Sequence, residues 1–208
     1  MDFDKTIEIL RSYEHNQHLA EKAHLEIAPY RTNQLNLKPT NPKIAAVLAF
    51  LYPKNEQTYF TLIERPEYDG SHSGQIALPG GKAEQYDQSI IATALREAQE
   101  EVNIISKEVN ISGTLNDIYI PPSNFKVTPV LGYSFKEPQL IPEENEVKNI
   151  IEVKLADLLN PNSISKKKLK LKNGSSITTP CFVLESKIVW GATAMILNEL
   201  KHFINSRI

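Results

Sequence analysis

Residues 78–104 read LPGGKAEQYDQSIIATALREAQEEVNI, and the rest of the chain is organised around them. Ile91, Ala94, Leu95, Ala98 and Val102 recur at three- and four-residue spacing, which predicts an amphipathic helix over residues 89–102 with that stripe inward. Asp87 or Ser89 can cap it. Glu97, Glu100 and Glu101 then project from the neighbouring face, and their carboxylates are expected to converge. Like charges so placed repel, by roughly 0.2–0.5 kcal/mol per pair on a solvated helix and by more with partial burial, unless a cation sits among them. Mg²⁺ or Mn²⁺ suits such oxygen ligands, keeps several waters and takes its remaining ligands from substrate phosphates.

A charged helix face has a plainer reading as a solvated surface, with Arg96 and Glu100 an ordinary ion pair four residues apart. The Pro79-Gly80-Gly81 turn favours the metal. Both glycines can adopt positive φ and bring bare backbone close to the carboxylates, so the Gly80 carbonyl is a candidate metal ligand and an amide there can approach phosphate.

These residues resemble the diagnostic box of the Nudix hydrolases: Gly, five residues, Glu, seven residues, then Arg-Glu-U-x-Glu-Glu-x-Gly-U, with U a bulky aliphatic. Gly81, Arg96, Glu97, Glu100, Glu101 and Ile104 match. Asp87 replaces the first Glu, with one extra residue before Arg96, and Ala98 is small for U. Asn103 stands in place of Gly, and Asn can still end a helix in the left-handed conformation. The insertion leaves residues 96–101 intact and Asp87 without an assigned role.

Further stretches resemble one branch of that family, the coenzyme A diphosphatases. Gly74 to Gly81 supplies the branch signature Gly-x-x-x-Phe-Pro-Gly-Gly with Leu78 for Phe. Ala23-His24-Leu25 with Pro29, Ile120-Pro121-Pro122-Ser123, Val127-Thr128-Pro129-Val130, residues 153–159 and Trp190-Gly191-Ala192-Thr193-Ala194 look like the same branch. One departure is Gly70, where the branch carries arginine.

The residue pattern alone gives an α/β fold with a mixed β-sheet between helices. The resemblance sharpens this to an α/β/α sandwich with added N-terminal and C-terminal helices, and implies a diphosphatase dependent on Mg²⁺ or Mn²⁺. On that reading Glu97, also a metal ligand, accepts or orients the proton of the attacking water, Glu100 and Glu101 are the principal metal ligands, and Arg96 holds the carboxylates. Glu146, from the acidic stretch after Pro138, is the expected further ligand beside Gly80. The implied substrate is coenzyme A or a thioester of it, cut to 4′-phosphopantetheine and adenosine 3′,5′-bisphosphate. Two alternatives stand: another nucleoside diphosphate derivative (ADP-ribose, a nucleotide sugar, a dinucleotide), which Gly70 favours, and a binding module without turnover, which the retained carboxylates oppose.

The 208 residues are 41% hydrophobic, enough for a full core, and the formal charge of −2 shows no basic bias toward nucleic acid. Residues 1–42 read as an N-terminal helix and arm, and 43–208 as the catalytic domain with a C-terminal hairpin and helix. The longest apolar run, residues 44–52, is too short to cross a bilayer, and the acidic start MDFDKT lacks a secretory n-region, so a cytoplasmic protein is expected, with a homodimer left open. Cys181, alone among apolar neighbours, reads as a buried small hydrophobe.

Residues 3–28 follow a helical pattern before Pro29, with His15, His18 and His24 expected at the surface. Residues 44–52 form a continuous apolar run suited to a central strand, and TYFTLIE alternates as its hairpin partner. The long loop after it offers Arg65, His72, Ser73 and Gln75 as substrate-binding candidates. Residues 111–120 and 126–135 read as strands, 147–153 as another, and 155–159 as a short helix. Lys166, Lys167, Lys168, Lys170 and Lys172 precede an Asn-Gly turn, giving a hairpin whose lysines either protect an edge or touch phosphate. Trp190, expected as a core anchor, opens a final helix that packs through Ala194, Leu197, Leu200 and Ile204.

Overall fold

Lys43–Lys54 (β1) is the strand on which the sheet is built. In the computed structural model, which describes residues 2–34, 39–67, 74–170 and 174–208, it pairs on one side in parallel with Phe125–Tyr133 (β7). On the other side it runs antiparallel to Gln57–Glu64 (β2) through Leu51–Lys54 and to Gly80–Lys82 (β4) through Ala45–Val47. Ile76–Ala77 (β3) and Asn149–Lys154 (β8) pair with β2, and Asn110–Thr114 (β5) and Ile118–Ile120 (β6) with β7. The sheet is therefore mixed, as its hydrophobic pattern predicts.

Side chains alternate along β1, and each set meets a different helical layer. Ala46, Leu48, Phe50 and Tyr52 pack with Ala94, Ala98 and Val102 of Ile90–Val102 (α3). Ala49 and Leu51 face the opposite cluster, built from Phe3–Arg11 (α1), Ile27 of Gln17–Ile27 (α2), Leu155–Leu159 (α4) and Gly191–Asn205 (α5). The result is an α/β/α sandwich. A small sheet of Ile164–Lys170 (β9), Ser176–Leu184 (β10) and Lys187–Val189 (β11) is ordered β11–β10–β9 and joins the second cluster through Phe182, Leu184 and Val189. Cys181 is buried there. Among the described residues no helix is long and apolar enough to cross a membrane.

Three expectations change. The N-terminal helical pattern is two helices, because Ser12 Oγ donates back to the Ile9 carbonyl and the Asn16 side chain accepts from Leu19 N–H, so these side chains compete with a continuous ladder. His24 is buried rather than exposed, its Nε2 2.8 Å from Glu199 Oε2 on α5, while His15 and His18 stay exposed. The strand expected over residues 111–120 divides into β5 and β6, since Asn116 N–H and Nδ2 turn away to Glu199 Oε1 at 3.0 and 2.8 Å.

Candidate active site

Ser89 caps α3, its Oγ accepting from Ala92 N–H, and Asn103 ends the helix in the left-handed conformation at φ 60°. Between those ends Arg96 organises the acidic face. Its Nε and Nη2 donate to Asp87 Oδ1 and Oδ2, each at 2.9 Å, and Nη2 also donates to the Lys82 carbonyl at 3.1 Å. Its Nη1 donates to Glu97 Oε1 at 2.8 Å and Glu100 Oε2 at 3.0 Å. Every guanidinium donor is thus directed at an acceptor, and the fork fixes two glutamates relative to the β4 edge.

Asp87 is the residue that sequence reasoning left without a role. Its Oδ2 also accepts from Glu84 N–H and Thr93 Oγ1, both at 2.9 Å, and its partners, Arg96 first, hold its carboxyl well below the usual range. The turn over residues 84–89 absorbs the extra residue and returns Asp87 to the guanidinium. An acid nine positions before Arg96, with Thr93 on the intervening turn, was the available signal.

Glu101 is 2% exposed and accepts from Gly80 N–H at 2.7 Å. Burial pushes its carboxyl up to about 7 against the pull of Arg65 and the Gly80 amide, and the charges of Glu97 and Glu146 add to the rise. Burial likewise raises Glu97, whose carboxylate lies against bare backbone: a Cβ on Gly81 would stand 2.2 Å from Glu97 Oε2. Gly80, at φ 148°, has no room either, since a Cβ would stand 2.3 Å from the Ala46 carbonyl oxygen. Glu146 is on an exposed turn whose Glu143 N–H donates to the Glu101 carbonyl at 2.9 Å, so the turn is tied to the end of α3.

The expected convergence of carboxylates differs in detail. Among the described residues no group of three His, Cys, Asp or Glu is gathered as if around a metal. Instead Glu97 and Glu100 lie on Arg96, Glu101 lies on the Gly80 amide, and the Gly80 carbonyl accepts from Arg65 Nη2 at 3.0 Å. Hydrogen bonds to these fixed donors set where each carboxylate stands. The donor set still fits a hard divalent ion. It is all oxygen, its carboxylates outnumber the two arginines, and the field of Glu146 reaches Glu97 and Glu101.

Beside this cluster, on the opposite side of β4, is a cleft of about 550 Å³. Ile76, Leu78, Ile120, Phe125, Val127 and Trp190 make its walls largely apolar, and Gly80–Lys82 and Arg65 close the end nearest Glu101. Gln75 lines it, whereas His72 and Ser73 lie outside the described residues, as does Gly70. Trp190 is half-buried on the cleft wall rather than in the core. Lys166, Lys167 and Lys168 are exposed on the edge strand β9 and do not line the cleft, and Lys172 and the Lys170 side chain are outside the described set.

A NUDIX domain model matches residues 42–174. The chain belongs to the Nudix family. A Nudix hydrolase of Photorhabdus laumondii, NudL, itself described as uncharacterized, is 35% identical over 173 residues, 80% of this chain and 91% of that one. Its namesake in Pectobacterium atrosepticum is 37% identical over 145 residues, 65% of this chain and 70% of that one. A MutT/nudix family protein from Enterococcus faecalis, of known crystal structure, overlaps 90% of this chain and 73% of its own at 18% identity, with a TM-score of 0.49. Nudix membership makes the chain a hydrolase of diphosphate linkages in nucleoside diphosphate derivatives, in a family that generally works with divalent metals such as Mg²⁺ or Mn²⁺.

Proposed function

We propose that this Nudix hydrolase is a coenzyme A diphosphatase, acting on coenzyme A or its thioesters and releasing 4′-phosphopantetheine, or its acyl form, and adenosine 3′,5′-bisphosphate. One observation carries the reading. Four of the stretches that resemble the coenzyme A branch are far apart in sequence, yet Gln75–Leu78 with Gly80 and Gly81, Ile120–Pro122, Val127 and Trp190–Thr193 all line the same cleft. Its apolar walls suit the adenine and the long uncharged arm of one such substrate better than a second sugar, whose hydroxyls would be desolvated with few partners.

In this reading the diphosphate lies along the Gly80–Lys82 edge, where bare backbone allows close approach, with Lys82 and Arg65 on the cleft side to orient it. Glu100, Glu101, Glu146 and the second lone pair of the Gly80 carbonyl would hold the divalent cation, with Glu97 beside them. When bound, the cation supplies Lewis acidity toward the phosphoryl oxygens and a more acidic water. Glu97, fixed between Arg96 and Gly81, takes or orients the water proton. Arg96 positions Glu97 and Glu100, and Asp87 positions Arg96.

The test is incubation with coenzyme A, ADP-ribose, NADH and a nucleotide sugar, with and without Mg²⁺ or Mn²⁺, followed by product separation. Coenzyme A is expected to give the highest kcat/KM. Equal or better turnover of ADP-ribose would favour the second reading, a hydrolase of another nucleoside diphosphate, which glycine at position 70 supports.

A further inference from the structure

Among the described residues three cations line the cleft, and two are partnered. Arg65 Nη2 is 3.4 Å from Glu101 Oε1, and Lys82 Nζ is 3.5 Å from Glu84 Oε1. Arg31 is the exception. It follows α2, in the 3₁₀ turn Pro29–Gln34, and lies half-buried on the cleft wall. Its Nη2 donates to the Tyr119 carbonyl and its Nη1 approaches Met195 Sδ at 3.1 Å, both neutral atoms. Among the described residues no carboxylate pairs with it. Burial pulls its pKa below the usual arginine value, the direction expected of a guanidinium that has lost water and gained no anion.

Such a group is costly in an apolar wall unless something negative comes to it, because hydrogen bonds to neutral acceptors replace only part of its hydration. The two neutral contacts also hold the fork in place, so little side-chain entropy remains to be lost when an anion arrives.

Its position limits which anion. The row Lys82, Ala45, Val127, Ile118 crosses the sheet from β4 to β6, and Tyr119 is the next residue along β6. Three strand steps at about 4.8 Å place Arg31's anchor roughly 14 Å from the Gly80–Lys82 edge. One diphosphate cannot touch both places. A nucleoside diphosphate carrying a further phosphate on its ribose reaches further, because the ribose separates the two phosphate positions and the Lys82 and Arg31 side chains line the cleft between those backbone points.

We propose that Arg31 is the specificity residue for a second phosphate, carried on the ribose of the substrate at the end of the cleft away from the Gly80–Lys82 edge. The identity of that group as the 3′-phosphate of coenzyme A rests on the function proposed above; the anion preference of Arg31 does not. Lys166, Lys167 and Lys168, which do not line the cleft, are not needed for it.

The experiment compares wild type, Arg31→Gln and Arg31→Lys on paired ligands, so that general damage to the fold cancels in each ratio. Calorimetric affinities for adenosine 3′,5′-bisphosphate and adenosine 5′-monophosphate need no turnover, and kcat/KM for coenzyme A and 3′-dephospho-coenzyme A adds the reaction. Wild type should prefer the bisphosphate and coenzyme A by about tenfold or more, Arg31→Gln should lose most of both preferences, and Arg31→Lys should keep part. Unchanged ratios in Arg31→Gln would overturn the proposal, including its case where both affinities fall together. A third pair, succinyl- and butyryl-coenzyme A, places the anion: a fall confined to that ratio would mean that Arg31 meets an acyl carboxylate, and would overturn the ribose assignment. If coenzyme A is not cleaved at all while the bisphosphate preference is present and Arg31-dependent, the substrate reading fails and the Arg31 site stands.

Discussion

Asp87 grips Arg96 through two hydrogen bonds of 2.9 Å, and that grip aims the rest of the guanidinium at Glu97 and Glu100. The Asp87 side chain is 6% exposed and that of Arg96 18%, so the pair is only weakly screened by solvent. Asp87→Asn keeps the size, removes the charge and turns one acceptor into a donor facing the guanidinium. We expect a stability loss of about 1–3 kcal/mol by denaturant titration. The kcat should fall by about tenfold or more with KM little changed, since Asp87 touches no part of the cleft. A variant with normal kcat and reduced stability would show that the grip is structural alone.

Gly80 and Gly81 are adjacent but should fail differently. A Cβ on Gly81 meets the Glu97 carboxylate, at 2.2 to 2.8 Å, which is the free end of a flexible side chain and can swing away. A Cβ on Gly80 meets the Ala46 carbonyl oxygen at 2.3 Å and Val47 Cα at 2.5 Å, which are backbone of the central strand. Gly81→Ala should therefore fold with a melting temperature within a few degrees of wild type and lose about 100-fold or more in kcat as Glu97 is displaced. Gly80→Ala should lose about 2 kcal/mol or more of stability, or fail to accumulate in soluble form. Melting curves beside initial rates check both. An active Gly81→Ala would remove Glu97 from the chemistry.

Much of this was legible in the chain because the signals are local. The stripe from Ile91 to Val102, the Ser89 cap and the Asn103 stop define α3, and the apolar run after Lys43 defines the strand it covers. What was hidden depends on partners far away in sequence. His24 looks like a surface residue until Glu199, 175 positions on, supplies a buried acceptor. The strand over residues 111–120 looks continuous until the same Glu199 draws Asn116 out of it. Glutamate spacing fixes which helical face the acids share. It does not decide that Arg96 and the Gly80 amide, rather than one another, are their nearest neighbours. The cleft is the least legible feature, since its wall joins a turn after α2, the β4 edge, β6 and the start of α5.

Glu64 at the end of β2 carries a separate prediction about pH. It is 8% exposed and bonded to Lys187 Nζ at 2.7 Å and Asn149 Nδ2 at 3.0 Å, with Lys148 Nζ at 3.3 Å. Lys187 and Asn149 foremost lower its pKa from 4.5 to about 2. A depressed carboxyl stabilises the fold fully above its unfolded value and loses that contribution as pH falls toward its folded value. The window is therefore between about pH 4.5 and pH 2. Because Lys148 and Lys187 are close to half exposed, the contribution should be about 1–2 kcal/mol rather than the larger figure an unscreened shift implies. Glu64→Gln should be less stable at pH 7 by that amount, and its stability should fall less steeply than wild type through the window. Denaturant midpoints measured from pH 7 down to the acid limit of folding decide it; parallel curves would remove Glu64 from the acid response.

The metal reading can be set against a solvated acidic face by measuring stability and activity on the same variants. Glu97→Gln, Glu100→Gln and Glu101→Gln keep side-chain size and helix propensity, so charge is the main change. Their metal-free stabilities should differ in an instructive order. Glu100→Gln gives up one exposed contact to Arg96 and should be within about 0.5 kcal/mol of wild type. Glu101→Gln removes a buried charge raised by burial and by its neighbours, and should be as stable or more so if the new amide still accepts from Gly80 N–H. Glu97→Gln loses a short contact to Arg96 along with the repulsion and should be intermediate. Wild type should gain about 2.7 kcal/mol when Mg²⁺ or Mn²⁺ is present at about a hundred times its dissociation constant, and Glu100→Gln and Glu101→Gln should lose much of that gain. Turnover of coenzyme A should collapse in all three. Melting curves in chelator and in metal, beside initial rates, separate the readings: a solvated acidic face gives metal-independent melting and full activity in every variant.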